Sequence, residues 1–235
     1  MEVTLLHNTP LHICSTAIRT CWDSHDKSDS CEHKNIAWDT INFGTWTFEP
    51  TIGEKDKELI DRVGNRFKHA STLEHLNYTF YIKDISRALL QELARHRMAS
   101  LSVKSSRYTL RELRDEDLCV YWNEELEEYI YRQEIAIKYL IFIDSEEVNI
   151  KSMKALAGLQ VLLKNGVSND KAKYCMPESY KTELTWTINA RSLQNFITLR
   201  TNKAALEEIR QLAYNIYEAL PEEHKYLFEH TYKGE

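Results

Sequence analysis

The stretch LTWTINARSLQNFITLR, residues 184–200, changes from one repeating pattern to another within a few positions. Residues 184–188 are β-branched, aromatic and aliphatic, a composition that is typical of a strand. Beyond them, Leu193, Phe196 and Ile197 recur at helical spacing. The stretch therefore predicts a strand that runs directly into an amphipathic helix, in a domain that contains both types of element.

The rest of the chain shows the same two patterns without the regular strand–helix–strand order of a parallel sheet. Short strands are predicted at residues 2–6 and 78–82, and residues 23–35 are expected to form a loop. Helices are predicted at residues 12–22, 53–68, 85–97, 123–144, 150–165, 190–199 and 203–219. No repeat or linker divides the sequence, so we expect a single α+β domain over residues 1–235.

Composition limits the possible functions. The 235 residues are 43% apolar and 28% charged, which is ordinary for a soluble protein, and no signal-peptide pattern follows Met1. The longest apolar run, residues 139–143, is too short to span a bilayer. Five cysteines without regular spacing fit a reducing compartment, so a cytoplasmic location is expected. The net charge of −6 disfavours general binding to nucleic acids.

Residues 95–108, RHRMASLSVKSSRY, concentrate basic and hydroxyl side chains. The stretch follows a predicted helix and is expected to continue as extended chain. Arginine forks and serine hydroxyls together suit a phosphate group. A solvated basic helix end is an equally good interpretation from the spacing alone, because charge runs are commonly surface.

The predicted helix at residues 190–199 has two unlike faces. Arg191 and Asn195 are four residues apart and share the polar face. Arg200 falls on the apolar side, where its charge must be paired or must contact a ligand. Alternatively, its stem packs and its head reaches water at the helix end. The sequence does not separate these two possibilities.

Two further clusters are open to a structural interpretation. The turn His69–His75 can present groups to a ligand, but Ser71 and Glu74 also match a helix capping box, which is the better local interpretation. Cysteine and histidine residues of the region 21–33 suggest zinc, although their order lacks the paired short spacings of familiar zinc sites, and no metal is expected. The cysteine and histidine residues of this possible zinc site are Cys21, His25, Cys31 and His33. Phosphate-binding and dinucleotide-binding glycine loops do not occur.

Taken together, these segments resemble the flavin-dependent thymidylate synthases. That family carries RHR, seven further residues and then Ser, here Arg95–Arg97 followed by Ser105. It also carries W-T-[VI]-N-A-R-S-L-x-N-F-x-x-L-R, which residues 186–200 reproduce, and a turn like residues 69–75. The resemblance extends over about residues 2–230.

The resemblance implies a methyl-transferring enzyme of nucleotide biosynthesis with a central, mostly antiparallel sheet flanked by helices. Such an enzyme converts dUMP to dTMP with methylenetetrahydrofolate as carbon donor, FAD as hydride carrier and NADPH as reductant. It uses no cysteine nucleophile, and Cys175, which directly precedes Met176 and Pro177, is expected to be a buried small residue. The family resemblance also implies a homotetramer, with no nucleic-acid or membrane partner.

The resemblance assigns a role to individual residues of this chain. Arg200 is expected to act in catalysis by facing the uracil ring, where a positive charge stabilises the N3-deprotonated base. The FAD-binding residues implied are His69, Ser71, Arg95, His96, Arg97, Val103, Asn189, Ala190, Arg191 and Asn195. The dUMP-binding residues implied are Glu92, Arg95, Val103, Lys104, Ser105, Ser106, Arg107, Lys173 and Arg200.

Three positions depart from the family pattern. Glu92 stands where many members have Gln, and Val103 stands where many have Glu. Lys173 replaces an arginine, which keeps the charge but loses the planar fork.

Two other functions are compatible with parts of the sequence. A nucleic-acid-binding module could use the basic stretch 95–108, but it is contradicted by the acidic balance and by the lack of aromatic residues near Arg95. A flavoenzyme that methylates uracil in RNA would share the chemistry, yet it would require a wider basic surface.

Overall fold

The structure, a computed structural model, describes residues 1–30, 52–125 and 128–232. Four of its strands form one antiparallel sheet in the order β1-β2-β6-β3, and β4 pairs with β5 separately. The short strand predicted at residues 2–6 is confirmed as β1, which lies at one end of that order. The strands are β1 (Glu2–Asn8), β2 (Asn77–Ser86), β3 (Ala99–Val103), β4 (Cys119–Asn123), β5 (Glu128–Tyr131) and β6 (Lys181–Asn189).

Helices account for much of the remaining described chain, which confirms the α+β class. They are α1 (Leu11–Cys21), α2 (Glu54–Ile60), α3 (Arg87–Leu93), α4 (Ser106–Arg114), α5 (Gln133–Tyr139), α6 (Glu146–Lys164), α7 (Asn169–Ala172), α8 (Ala190–Arg200), α9 (Glu207–Glu218) and α10 (Glu222–Lys225). α2 continues as a π-helical turn, Asp61–Arg66. Within the described residues, no helix has both the length and the apolar character needed to cross a membrane.

The chain divides into two compact units, and each strand of the four-stranded sheet contributes residues to both. The first unit contains Met1–Val3, Tyr81–His96 and Leu101–Trp186. The second contains Thr4–Phe80, Arg97–Ser100 and Thr187–Glu235.

The core of the first unit is rich in leucine and lies between α4, α5, α6 and α7. Its fully buried members include Leu110, Leu113, Leu140 and Leu159. Gln160 is also buried, and its amide nitrogen donates to the main-chain oxygen of Leu113 at 2.8 Å, which satisfies a polar group inside the core. These contacts hold α6 against the end of α4 and so support the segment that precedes α4.

Aromatic side chains dominate the core of the second unit. Tyr78 and Phe80 in β2 are completely buried, as are Phe196 in α8 and Phe228 near the carboxyl end. The Tyr78 ring meets Phe228 edge-on at 5.8 Å between centroids. The Tyr78 hydroxyl lies 2.8 Å from Nδ1 of His224, so its polar end is also satisfied within this core.

The helix predicted at residues 123–144 is wrong. The chain there forms β5 and then the shorter helix α5. Main-chain pairing of residues 121–123 with residues 128–130 joins β4 and β5, and this ladder takes the place of a helix there.

The helix observed in the region 85–97, α3, is shorter at both ends than the helix that the sequence predicts. β2 extends to Ser86, whose side chain accepts a hydrogen bond from the Leu89 N–H and so caps α3. The helix ends at Leu93, and Met98 adopts a left-handed φ of 59° before β3 begins. A turn therefore separates α3 from β3.

Candidate functional site

Most of the residues implied for dUMP lie in the first compact unit, and most of those implied for FAD lie in the second. The first unit contains most of those implied for dUMP: Glu92, Arg95, Val103, Lys104, Ser105, Ser106, Arg107 and Lys173, together with His96. The second contains most of those implied for FAD: His69, Ser71, Arg97, Asn189, Ala190, Arg191 and Asn195, together with Arg200. Each set is built by different elements.

In the second unit, a hydrogen bond joins the turn at residues 69–75 to α8. The turn is a 3-10 helix, Ala70–His75, without a side-chain cap, so the predicted capping box is wrong. Glu74 instead accepts from Nη1 of Arg191 at 2.7 Å. The two motifs that are 117 residues apart in sequence thus lie side by side.

The start of α8 is held by Asn189 and Ala190. Oδ1 of Asn189 accepts from the Ser192 N–H at 2.9 Å, which caps the helix. Ala190 is buried, and its N–H donates to the Leu76 main-chain oxygen at 2.8 Å. This arrangement places the first turn of α8 beside the strand β2.

The two faces of α8 are as the sequence predicts. Leu193, Phe196 and Ile197 are buried, whereas Arg191 and Asn195 are exposed. Arg200 is the last helical residue and is half-buried.

Exposed groups of the second unit suit a flavin nucleotide. Ser71 and Asn195 are exposed, and their side chains make no hydrogen bond to any residue that the structure describes. His69 and Arg97 are also exposed. Hydroxyl, amide, imidazole and guanidinium donors on one unit match the phosphates and the ring nitrogens and oxygens of FAD.

In the first unit, Arg95 and His96 of the RHR motif lie just beyond the end of α3. Arg95 is 74% exposed in its side chain and lies 3.5 Å from Oε1 of Glu92, a weak and solvent-screened contact. His96 is only 8% exposed, and its N–H donates to the Leu93 main-chain oxygen. The motif therefore offers Arg95 to a ligand, while His96 belongs to the packed structure around the helix end.

The sequence predicts extended chain after β3, but the structure begins the helix α4 there, at Ser106. Ser105 occupies the cap position without a side-chain cap hydrogen bond. Because α4 supplies buried Leu110 and Leu113 to the core, tertiary packing favours a helix here over extended chain. Arg107 pairs with Asp170 of α7 at 2.8 Å, which brings the start of α4 toward Lys173.

Two polar cavities lie beside Ser106. One, of about 280 Å³, includes Lys104 in its lining, and the other, of about 410 Å³, includes Lys173. Ser106 and Arg87 line both. The structure thus brings together three of the residues implied for dUMP, Lys104, Ser106 and Lys173.

Arg87 is a candidate that the motifs do not reveal. It is the first residue of α3, eight positions before the RHR motif, and its neighbours in sequence show no phosphate-binding pattern. Only the approach of α3 to the segment at residues 173–180 places it in the cavities. An arginine directly after the helix-capping Ser86 is the one signal that the sequence carries.

One of the described cysteines, Cys14, is unsuited to act as a nucleophile. Burial raises the pKa of the Cys14 thiol to about 12, which keeps it protonated. Cys175 is exposed, so the prediction that it is buried is wrong; the short 3-10 turn Lys173–Cys175 points it outward.

The zinc hypothesis falls partly on Cys31 and His33, which lie outside the described residues. Among the described residues, no group of three or more possible ligands lies close enough together to hold a metal ion.

Comparisons with known proteins identify the family to which the chain belongs. Residues 4–224 match the family described as thymidylate synthase complementing protein. The flavin-dependent thymidylate synthase of Wolinella succinogenes is 59% identical over 228 residues, which cover 97% of both chains. That of Campylobacter jejuni is 57% identical over 230 residues, covering 98% of this chain and 97% of the relative.

Solved structures give the same result. A crystal structure of thymidylate synthase X from Helicobacter pylori with FAD and dUMP is 51% identical, with a TM-score of 0.81 over 100% of both chains. A second structure of the Helicobacter pylori enzyme with the same two ligands is 52% identical, with a TM-score of 0.82 over 99% of this chain and 100% of the other.

Proposed function

Because the chain belongs to the flavin-dependent thymidylate synthase family, we propose that it makes dTMP by reductive methylation of dUMP at C5. Methylenetetrahydrofolate supplies the one-carbon unit, and NADPH with one proton supplies the two reducing equivalents that convert it to a methyl group. The other products are tetrahydrofolate and NADP⁺. The observation that carries this proposal is the full-length likeness to an enzyme structure that contains FAD and dUMP.

The second unit is the proposed flavin side. Ser71, Arg97, Arg191 and Asn195 present exposed donors, and Asn189 and Ala190 hold the first turn of α8 in place. His69 lies at the start of the same exposed turn. The family resemblance adds Arg95, His96 and Val103 to the residues proposed for FAD. When bound, FAD supplies the hydride that this chain's own side chains cannot provide.

The first unit is the proposed nucleotide side. Ser105 and Ser106 begin α4, and their hydroxyl and main-chain N–H groups suit a phosphate group. Arg107, Lys104 and Lys173 supply positive charge around the same segment. Glu92 and Arg95 at the end of α3, with Val103, are proposed to contact the remainder of dUMP. The ion pair of Arg107 with Asp170 keeps its guanidinium oriented rather than free to rotate.

Arg200 is the proposed catalytic residue. Attack on an electrophilic carbon by C5 requires electron density at that atom, and a cysteine added to C6 is one way to supply it. The buried, protonated thiol of Cys14 is unsuited to that role. A guanidinium beside the ring instead stabilises the N3-deprotonated uracil and thereby makes C5 nucleophilic. The half-burial of Arg200 strengthens its charge interaction while leaving it accessible to a ligand.

The enzyme is further proposed to act as one domain, as a homotetramer and in the cytoplasm. The tetramer follows from the family resemblance, and light scattering tests it by a mass of about four times the 27.7 kDa chain. Free thiols at the four described cysteines support a reducing compartment.

The visible spectrum of the purified protein tests the proposal. We expect flavin absorption bands that shift when dUMP is added, and formation of dTMP when NADPH and methylenetetrahydrofolate are supplied. A colourless protein that also fails to bind added FAD contradicts the proposed function. A yellow protein that oxidises NADPH but makes no dTMP retains the flavin assignment and overturns the reaction.

A further inference from the structure

We infer that Arg87 is a further phosphate-binding residue, which adds a guanidinium fork to the nucleotide site of the first unit. The inference rests on the proposed conversion of dUMP and names a residue outside the motifs that carry that proposal. It depends on the position of Arg87, on which nearby cations are paired with carboxylates, and on the lack of a guanidinium fork at Lys173.

The main chain holds Arg87 in place. Its N–H donates to the Tyr180 main-chain oxygen at 3.1 Å, and the next N–H, of Ala88, donates to the Glu178 oxygen at 3.0 Å. The start of α3 is therefore tied to the segment that leads into β6. From this position the half-buried Arg87 side chain lines the same cavity of about 410 Å³ as Ser106 and Lys173.

Other cations around the two cavities are matched by carboxylates. The pairs are Lys104 with Glu183 at 3.6 Å, Lys138 with Glu116 at 3.3 Å, and Lys181 with Asp84 at 3.4 Å. By contrast, no described residue forms an ion pair or hydrogen bond with the Arg87 guanidinium or the Lys173 ammonium group. The two unmatched cations of this region thus meet in one cavity.

One carboxylate, Glu178, also lines that cavity. It is exposed and accepts a hydrogen bond from Nε2 of Gln91 at 2.8 Å. Two cations against one solvated carboxylate leave the cavity with a net positive charge. A phosphate monoester carries a charge of about −1.5 to −2 at neutral pH, which is the kind of ligand that this excess favours.

The chemistry of the two cations explains why both are needed. Lys173 is a point charge that can turn toward one oxygen at a time, and it replaces an arginine of the family pattern. Arg87 offers a planar fork that can donate to two phosphate oxygens together. The fork that is missing at position 173 is therefore supplied from α3.

The test compares binding of dUMP and of deoxyuridine, which lacks the phosphate, to the flavin-loaded protein by the change in its visible spectrum. In Arg87→Ala we expect the dissociation constant for dUMP to rise about tenfold or more, the usual effect of losing a charge-assisted contact. Deoxyuridine should bind as it does to the unaltered protein. Arg87→Lys keeps the charge but not the fork. Its dissociation constant for dUMP should therefore lie between those of the unaltered protein and of Arg87→Ala.

Arg111→Ala is the matched control, because it removes an exposed arginine of α4 that lines neither cavity. It should leave the dUMP affinity within about twofold of the unaltered protein. An Arg87→Ala protein with unchanged flavin bands and unchanged dUMP affinity overturns the inference and leaves the proposed function intact. Equal weakening of dUMP and deoxyuridine also overturns it, since that result indicates a structural role. An unaltered protein that binds FAD but not dUMP overturns both.

Discussion

Nε of Arg19 in α1 donates to Oδ1 of Asp56 in α2 at 2.8 Å, and the two side chains are 7% and 0% exposed. Ser28 donates to the other carboxylate oxygen at 2.6 Å, and Ser30 contacts the same oxygen. Burial alone raises the pKa of Asp56, but these hydrogen bonds and the guanidinium charge outweigh it and hold the pKa below its usual value. The carboxylate is therefore charged, buried and fully dependent on its donors.

Arg19→Ala should destabilise the protein by about 3–5 kcal/mol, because it leaves a buried carboxylate without its cation. Urea denaturation at neutral pH measures this loss. Arg66→Ala is the control: the Arg66 side chain is 62% exposed in its pair with Asp61, so its removal should cost less than about 1 kcal/mol. Equal losses for the two variants would show that the burial of Arg19 has no special consequence.

Stability should fall on mild acidification because of His224. Burial lowers its pKa from 6.5 to about 4, so the folded protein keeps the imidazole neutral where the unfolded chain protonates it. The contribution of His224 to the free energy of unfolding is fully present above about pH 6.5. It is lost as the pH falls toward 4, and the total loss is up to roughly 3 kcal/mol. Unfolding experiments at pH 7.5, 6 and 5 measure it.

His224→Gln is the companion variant, since glutamine can still bond to the Tyr78 hydroxyl but does not titrate. Its stability should change less between pH 7.5 and 5 than that of the unaltered protein. Parallel pH dependence in both proteins would assign the acid sensitivity to other groups.

Arg200→Ala should reduce dTMP formation by about 100-fold or more, which is the effect of removing one group that stabilises developing charge. The flavin spectrum and the melting temperature should change little, because Arg200 is the last residue of α8 and only half-buried. Lys203→Ala removes a nearby exposed cation and should leave turnover unchanged. A nearly active Arg200→Ala enzyme would remove this residue from the catalytic role.

Glu74→Ala should weaken FAD binding by about threefold to tenfold, since Glu74 orients the Arg191 guanidinium at 2.7 Å. Titration of the protein without flavin by FAD fluorescence quenching gives the dissociation constant. Glu58→Ala, which removes an exposed carboxylate of α2, should leave that constant unchanged. If the Glu74 and Glu58 variants bind FAD alike, the pair of Glu74 with Arg191 has no role in the flavin site.

The elements that the sequence predicts well are those whose own pattern is strong. β6 and α8 lie where the alternation and the spacing of Leu193, Phe196 and Ile197 place them. The elements that it misses depend on distant partners. β4 and β5 each form because the other is present, and α4 forms because Leu110 and Leu113 pack into a core built by α6.

The same distinction applies to the candidate site. Arg95, Arg107 and Arg191 were recognisable because they stand inside long motifs, and the structure leaves their side chains exposed to a ligand. Arg87 stands outside any motif. Its importance depends on hydrogen bonds to residues 178 and 180, which are about ninety positions away in the sequence.

The sequence by itself determined the family, the α+β class and the residue types of the proposed FAD and dUMP sets, because these follow from local spacing and side-chain chemistry. Only the tertiary structure decided which charges are matched and which are left for a ligand. Whether Glu74 caps its own helix or orients Arg191, and whether Lys173 stands alone or beside Arg87, depends on distances of a few ångströms between segments far apart in the chain. Electrostatic and hydrogen-bond energies depend on those distances and on burial, and a linear pattern contains neither.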